Sequence, residues 1–456
     1  MHYSAIKPRQ LRRLLQPQLP ILHRCGASGR TLRPPLVQHR RNGSAMLPVM
    51  LGQIVIVGAG QAADQAVHTL RRKGFTGKLA VVGDEPYLPY QRPPLSKKFL
   101  AGALDKDRLV LRPQHFYTEH SVDAHLGRRV QEISRDARRI RLDDGAVLPY
   151  DALLLATGSK PRALTVPGAD LPGVHTLRTI ADVERIRADI ANGKRMVIIG
   201  GGYIGLEVAA TARELGLDVT VLEMAERVMN RVTCKEISSF YETEHARHGV
   251  RIVTNSRVQA LAGDSRTGRV KAVLTDDGAE HPADVVIVGV GVTAADELAV
   301  AAGIECANGI VVNEYCQTSD PAIYAAGDCA NHPNLHYDRR LRLESVDNAF
   351  EQAANAAHNL LGSPTVHDKV PWFWSDQYDL KMIIVGLCQG HDTVIVRGSP
   401  ASRSFSVCYL RGGELIAVDS VNSPKDQMAA RKLIAAHARP DLDKLENPGI
   451  LLKDSV

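Results

Sequence analysis

Two hydrophobic patterns divide the chain. Short unbroken apolar runs occur at Gln53–Val57, Lys78–Val82, Leu153–Leu155, Met196–Ile199, Asp218–Leu222 and Asp284–Val290. Rich in β-branched residues and lacking polar alternation, they predict strands buried on both faces. Helical patterns intervene, one running to about Lys73 and one over Leu206–Leu215. Strand–helix alternation of this kind predicts parallel sheets. Beyond residue 366 the pattern changes. Lys381–Leu387, Thr393–Arg397 and Ser404–Leu410 alternate as antiparallel strands do, and Lys425–His437 reads as a closing helix. A linker rich in turn residues, Pro161, Pro167, Gly168, Pro172 and Gly173, separates the first apolar runs from the second group. The expected organisation is a first nucleotide unit over 51–160 and 285–365, interrupted by a second over 161–284, with a last domain over 366–456.

The turns after two of the strands carry the chemistry. Gly58-Ala59-Gly60-Gln61-Ala62-Ala63 follows the first strand, and the second strand ends at Gly83-Asp84-Glu85. Strand, GxGxxA, helix, strand and acid is the order of a dinucleotide-binding fold. Gly58 permits the tight turn, Gly60 lets a pyrophosphate reach the backbone, and Ala63 lets helix lie on strand. The helix N-terminus then offers unpaired N–H groups to the phosphates. The whole unit recurs: Met196–Ile199, then Gly200-Gly201-Gly202-Tyr203-Ile204-Gly205, a helix, and Asp218–Leu222 ending at Glu223. A single such loop is weak evidence, but the full order twice in one chain implies two bound dinucleotides. Glu223 favours NAD over NADP, because a carboxylate repels a 2′-phosphate. Arg227 nearby leaves NADP open.

Composition narrows the class. At about 150 residues per domain, 456 residues suggest roughly three domains. Hydrophobic residues at 44% and charged residues at 23% exclude wholesale disorder. No apolar stretch approaches the roughly 18 residues of a membrane helix. The net charge of +6 is uneven: nine Lys or Arg and no acid fall in residues 1–50. Residues 51–456 therefore carry 47 basic against 50 acidic residues, net −3, which argues against nucleic-acid binding. Residues 1–50 read as a disordered basic extension: an upstream start before Met46 or Met50, a transit peptide, or a mobile tail. The seven cysteines, 25, 234, 306, 316, 329, 388 and 408, are never spaced as Cys-x-x-Cys. Neither a disulfide scaffold nor a metal site is expected, and a reducing, cytoplasmic setting fits, or mitochondrial if residues 1–50 are a transit peptide.

Four stretches carry a family resemblance: Asp84–Lys97 (DEPYLPYQRPPLSK), Gly200–Thr211 (GGGYIGLEVAAT), Gln317–Cys329 (QTSDPAIYAAGDC) and Pro371–Tyr378 (PWFWSDQY). From about 52 to 430 the chain resembles the FAD- and NADH-dependent ferredoxin reductases of bacterial oxygenase systems, the putidaredoxin reductase group in particular. The resemblance implies an α/β fold with two Rossmann-like dinucleotide-binding domains, glutathione-reductase-like, plus a C-terminal α+β domain. It implies that Gly58, Gly60 and Ala62 hold the FAD pyrophosphate and that Asp84, or Glu85 beside it, binds the adenosine ribose. Val130 would meet the adenine region through its backbone, Arg178 would contact the cofactor from the linker side, and Asp328 would bond the ribitol. Lys97 would stand by the flavin N5 edge. Val346, opening a helix over Val346–Asn359, would face the pyrimidine end. Gly200, Gly202, Tyr203, Ile204, Gly205, Glu207 and Glu223 would form the NADH site, with Glu207 facing Lys97 across the nicotinamide pocket. Trp372 and Trp374 are either core or cover for the flavin edge and partner interface.

The implied activity is NADH:ferredoxin oxidoreduction, in which a hydride passes to the flavin and single electrons leave to a [2Fe-2S] ferredoxin. That carrier would supply a cytochrome P450 or a ring-hydroxylating dioxygenase. No cysteine lies between Cys25 and Cys234, and Pro93, Pro94, Leu95 and Ser96 stand where a disulfide reductase would carry its thiol. Electrons are therefore expected to leave the flavin directly, and Cys329 reads as a packed thiol. The basic run Asp338-Arg339-Arg340-Leu341-Arg342, beside Glu344-Ser345-Val346, is the best local candidate for docking an acidic carrier, or else a solvated loop. Other partners are NADH and, at most, a second copy in a weak homodimer; no membrane partner is expected. The alternatives are a rubredoxin reductase, an NADH oxidase, or a redox signalling flavoprotein like apoptosis-inducing factor, which typically has a long insertion in its last domain. Residues 366–456 show no obvious one.

Overall fold

Ile54, Val55, Ile56 and Val57 are all buried, so strand Gln53–Val57 must be covered on both faces. The computed structural model, which describes residues 51–456, shows how. The strand pairs in parallel with Lys78–Gly83 on one side and Ala152–Leu155 on the other. The sheet order is Ile323–Ala325, Ala152–Leu155, Gln53–Val57, Lys78–Gly83, Val122–Leu126. Ile54 and Ile56 pack under helices Gln61–Arg72 and Val346–Leu360. Val55 and Val57 pack on the opposite side against Val130, Ile133, Ile140 and Leu142 of a small antiparallel sheet. Each such fully buried aliphatic side chain contributes about 1.5–3 kcal/mol. The expected basic extension, residues 1–50, lies outside the described residues.

The second nucleotide unit repeats the plan. Its sheet runs Arg251–Val253, Asp218–Leu222, Arg195–Ile199, Val285–Val288, Val174–Thr176, all parallel. One expectation is corrected here. The apolar run near residue 285 was expected to return the chain to the first unit. Instead Val285–Val288 pairs with Met196–Ile199 in the second sheet. The chain crosses back at Val292–Ala294, antiparallel to the outgoing Ser159–Pro161. The run is apolar on both faces and would suit either sheet, so periodicity alone does not choose between them.

The last unit is an antiparallel sheet in the order Trp372–Gln377, Leu380–Gly386, Glu414–Val421, Ser404–Arg411, Thr393–Ser399. Helix Pro424–Ala435 covers one face through Ala430, Leu433 and Ile434. The other face meets helix Lys235–Arg247 of the second unit, where Ile237, Phe240 and Tyr241 pack on Met382, Phe405 and Val407. Among the described residues no helix is long and apolar enough to cross a membrane.

His245, His332 and His367 are buried as the neutral form. His245 bonds Gln377 across the junction of the second and last units, and His332 meets His367 edge to face at 4.8 Å. Burial pushes His245 and His367 down to about 4 and His332 down to about 3. An unfolded histidine titrates near 6.5, so below that pH the unfolded chain binds more protons than the folded one. Their contribution is therefore complete above about pH 6.5 and declines as pH falls toward about 4. Urea midpoints measured from about pH 7 to about pH 5 should fall steadily, and His367→Gln should flatten the slope. A midpoint independent of pH over that range would mean these rings are not buried.

Candidate functional site

Gly58 sits at φ +112°, and a Cβ there would stand 2.1 Å from the Ala156 carbonyl oxygen. Its N–H donates to Val82 at 2.7 Å, so the loop is drawn down between the two neighbouring strands, where only glycine fits. Gly60 is different. A Cβ there would meet nothing within 4 Å, and no side chain caps the helix that follows. Open space over an uncapped helix N-terminus suits a pyrophosphate. Ala62, in the first turn, is buried against Gly327.

The acids around this cradle are sorted by their partners. Glu85 accepts from the Tyr90 hydroxyl at 2.6 Å and from Arg92 at 2.8 Å, so its carboxylate is already engaged. Asp84 is 63% exposed and touches only Arg129, at 3.5 Å. Of the two sequence candidates for a ribose, Asp84 is the free one. Asp328 is held by Ser159 at 2.7 Å and Arg178 at 3.2 Å, so two expected cofactor residues form one ion pair. Arg92, assigned no role from the sequence, also donates to the Arg178 carbonyl at 2.7 Å. Val130 is buried at the start of the small antiparallel sheet. Val346 opens its helix behind Ser345, whose hydroxyl accepts from the Asn348 N–H at 3.2 Å. The open uncapped loop, the exposed Asp84 and the anchored Asp328 fit the phosphates, ribose and polyol of FAD.

The second cradle has the same construction. Gly200 is at φ +110°, with its would-be Cβ 2.4 Å from the Gly289 oxygen, and Gly202 faces open space. At Gly205 a Cβ would come within 2.2 Å of the Gly200 oxygen, so this glycine lets the helix begin tight against the loop. Glu223 accepts from the N–H groups of Gly201 and Ala225, both at 2.7 Å, which fixes it beside the loop with lone pairs to spare. Arg227 points elsewhere: it donates to Ser238 at 2.7 Å and to the carbonyls of Asn230 and Cys234. It is not available to a 2′-phosphate. Ile204 is 48% exposed at the mouth, and Tyr203 packs edge-on to Phe373 at 4.8 Å.

Between the cradles lies one ion pair. Lys97 Nζ stands 2.7 Å from Glu207 Oε2. Glu207 is one turn inside helix Tyr203–Glu214 and nearly fully buried. Such a carboxylate is destabilising without donors. It receives three: Lys97, the Ser96 hydroxyl at 2.6 Å, and the Ser375 hydroxyl at 2.7 Å. Ser96 and Ser375 lie inside sequence stretches that mark the family resemblance, yet nothing in those stretches shows that the two serines converge on one carboxylate.

Trp372 and Trp374 stack at 5.7 Å on the edge strand of the last sheet, half-buried, with Arg431 4.0 Å above the Trp372 ring. The basic run is partly engaged by the protein itself. Arg340 donates to the Val312 carbonyl at 2.6 Å and to that of Asn331, and Arg342 bonds Glu344 at 2.7 Å and the Asp328 carbonyl at 3.1 Å. Arg339, over Tyr337, and Arg340 are both exposed, while the Arg342 side chain is mostly buried. Burial pushes the thiols of Cys234 and Cys306 up to about 11 and those of Cys388 and Cys408 up to about 12, with Cys316 and Cys329 also raised. Cys329 packs against the Leu155 and Ala326 carbonyls. None of the six is poised as a thiolate relay.

Comparison with known proteins follows this geometry. The pyridine nucleotide-disulphide oxidoreductase profile matches residues 52–353, and the reductase C-terminal profile matches 372–456. Rhodocoxin reductase of Rhodococcus erythropolis is 46% identical over 382 residues, 84% of this chain and 89% of that protein. The ferredoxin–NAD(+) reductase component of the anthranilate 1,2-dioxygenase system of Burkholderia cepacia is 42% identical, covering 88% of this chain and 98% of its own length. The crystal structure of the ferredoxin reductase for the CYP199A2 system from Rhodopseudomonas palustris superposes with a TM-score of 0.86 at 41% identity, covering 88% of this chain and 99% of that one.

The open glycines make a clean test. In Gly60→Val and Gly202→Val the new Cβ meets no protein group within 4 Å and the backbone φ/ψ values are ordinary for any residue. Both variants should fold with an unchanged circular dichroism spectrum. Gly60→Val should purify colourless. Gly202→Val should stay yellow while its affinity for NADH falls at least about tenfold, read by flavin difference absorbance. Full flavin content in Gly60→Val would mean that this loop is not a cradle.

Proposed function

The chain belongs to the pyridine nucleotide-disulphide oxidoreductase family, and on that premise we propose that it is the NADH-dependent, FAD-containing reductase of a [2Fe-2S] ferredoxin. It is an oxidoreductase with FAD and NAD(H) as cofactors, and its activity is NADH:ferredoxin oxidoreduction for a cytochrome P450 or dioxygenase system. The observation that carries the reading is the Lys97–Glu207 pair, which ties the helix of the second glycine cradle to the unit that bears the first. The described thiols between and around the cradles are all raised and packed, so the family's disulfide chemistry has no foothold there.

Bound FAD supplies the chemistry, accepting a hydride from NADH and releasing its electrons singly. The chain supplies position. Gly58, Gly60 and Ala62 seat the FAD phosphates on a helix N-terminus, Asp84 takes the adenosine ribose, and Asp328, steadied by Arg178, takes the polyol. The helix opened by Val346 turns its positive end to the pyrimidine edge. Gly200, Gly202 and Glu223 seat NADH, with Tyr203 and Ile204 at the mouth. Lys97 and Glu207 would stand beside the nicotinamide and the flavin when both are bound. Units 51–161 and 292–365 bind FAD, 162–291 binds NAD, and 366–456 closes the flavin edge. The docking role falls to the surface around Trp372, Trp374 and Arg431, with the exposed Arg339 and Arg340 of the basic run as the second candidate. A second copy forms at most a weak homodimer. The unpaired thiols favour the cytoplasm.

Anaerobic NADH should bleach the flavin much faster than NADPH does. Glu223→Ala should narrow that preference by about tenfold or more, the scale of one lost charge-assisted contact; equal rates with both nucleotides in the wild type would remove the role of Glu223. Cytochrome c reduction should require added [2Fe-2S] ferredoxin. Rapid NADH oxidation by oxygen without a carrier would instead mark an oxidase.

A further inference from the structure

Glu207 is the end of a longer chain of side chains. Ser375 Oγ donates to it at 2.7 Å and accepts from Gln377 Nε2 at 3.2 Å. Gln377 Oε1 lies 2.8 Å from His245 Nε2, and His245 Nδ1 lies 3.0 Å from the Tyr378 hydroxyl. Ser375, Gln377 and His245 are buried, while Tyr378 stacks on His248 at 3.7 Å in an open cleft beside Glu214 and Arg403. The chain thus runs from the surface to the carboxylate and crosses from the last unit to the second and back.

Its polarity is determined. The Ser375 hydrogen goes to the carboxylate, so Gln377 must present its NH2 to the serine oxygen and its carbonyl to His245. That carbonyl only accepts, so the neutral imidazole carries its proton on Nε2 and takes the Tyr378 hydrogen on Nδ1. Every donor in the series points toward Glu207. Aligned hydrogen bonds polarise one another, and here the sum acts on one buried negative charge. The amide in the middle passes no proton without tautomerising, so the series transmits polarity and is not a proton wire.

We propose that Ser375, Gln377 and His245 are positioning residues that hold the Glu207 carboxylate aimed at Lys97. The proposal rests on the reading that this pair stands where nicotinamide meets flavin. The other groups facing Glu207 are Lys97, Ser96 and the Tyr241 hydroxyl, which is buried without a partner. Those facing His245 are His248 and Glu244, the latter paired with Arg247 and Arg403.

The test uses the holoenzyme. The infrared carboxylate stretch, assigned to Glu207 by its loss in Glu207→Gln, should move in Ser375→Ala, where one of its three donors is gone. Gln377→Leu should shift it less in the same direction, and Ser375→Thr, which keeps the hydroxyl, should restore it and stands in if the alanine variant does not fold. Ser375→Ala should slow anaerobic bleaching by NADH about tenfold at neutral pH with a smaller change in NADH affinity, and Glu207→Gln/Ser375→Ala should be no slower than Glu207→Gln alone. An unmoved Glu207 band in Ser375→Ala, or additive losses in the double variant, would overturn the proposal. Should Glu207→Gln bleach at the wild-type rate, the site reading fails instead, and the infrared shift still decides the role of the series.

Discussion

A carboxylate buried one turn inside an apolar helix is the constraint on which this molecule turns. In water Glu207 would be solvated from every side. In the fold it must find donors or be expelled. The three that it finds come from different places: Lys97 and Ser96 from the unit that carries the first glycine loop, and Ser375 from the last sheet. Satisfying one side chain therefore requires three separately built parts to close on a single point. Thr211 tightens the same joint by donating to the Ser96 carbonyl at 2.9 Å.

The rest of the site follows a division between occupied and open groups. Glu85, Arg227, Arg340 and Arg342 carry charges that look available on paper, and each is engaged by protein partners. Asp84, Gly60 and Gly202 face space that the protein does not fill. Such a division separates a residue that supports a site from one that receives a ligand, and it depends on distances of a few ångströms between residues far apart in the chain.

The fold was largely legible because its signals are local. A strand, a glycine turn and a helix in sequence are sterically bound to form the same unit wherever they occur, so both nucleotide folds and the antiparallel last sheet could be read from periodicity. The strand at Val285–Val288 shows the limit. Its apolar run suits either parallel sheet, and only its register against Met196 assigned it. The site was legible as residue types and less so as partnerships. Family resemblance paired Lys97 with Glu207; Arg92, Ser96, Ser375 and Gln377 lie in the stretches that carry the resemblance without a role attached to them, and His245 lies outside those stretches.

The amino-acid order by itself determined two dinucleotide loops, the acid that follows each second strand, and the lack of a cysteine where a thiol relay would stand. These depend on neighbours within one turn or one strand, where backbone geometry leaves little choice. Tertiary structure alone decided which of Asp84 and Glu85 is free, that Arg340 donates to backbone carbonyls and Arg342 pairs with Glu344, and that a line of donors from Tyr378 ends on Glu207. Hydrogen bonds and ion pairs are short-ranged and directional, so they exist only once the packing of distant segments has brought donor and acceptor together.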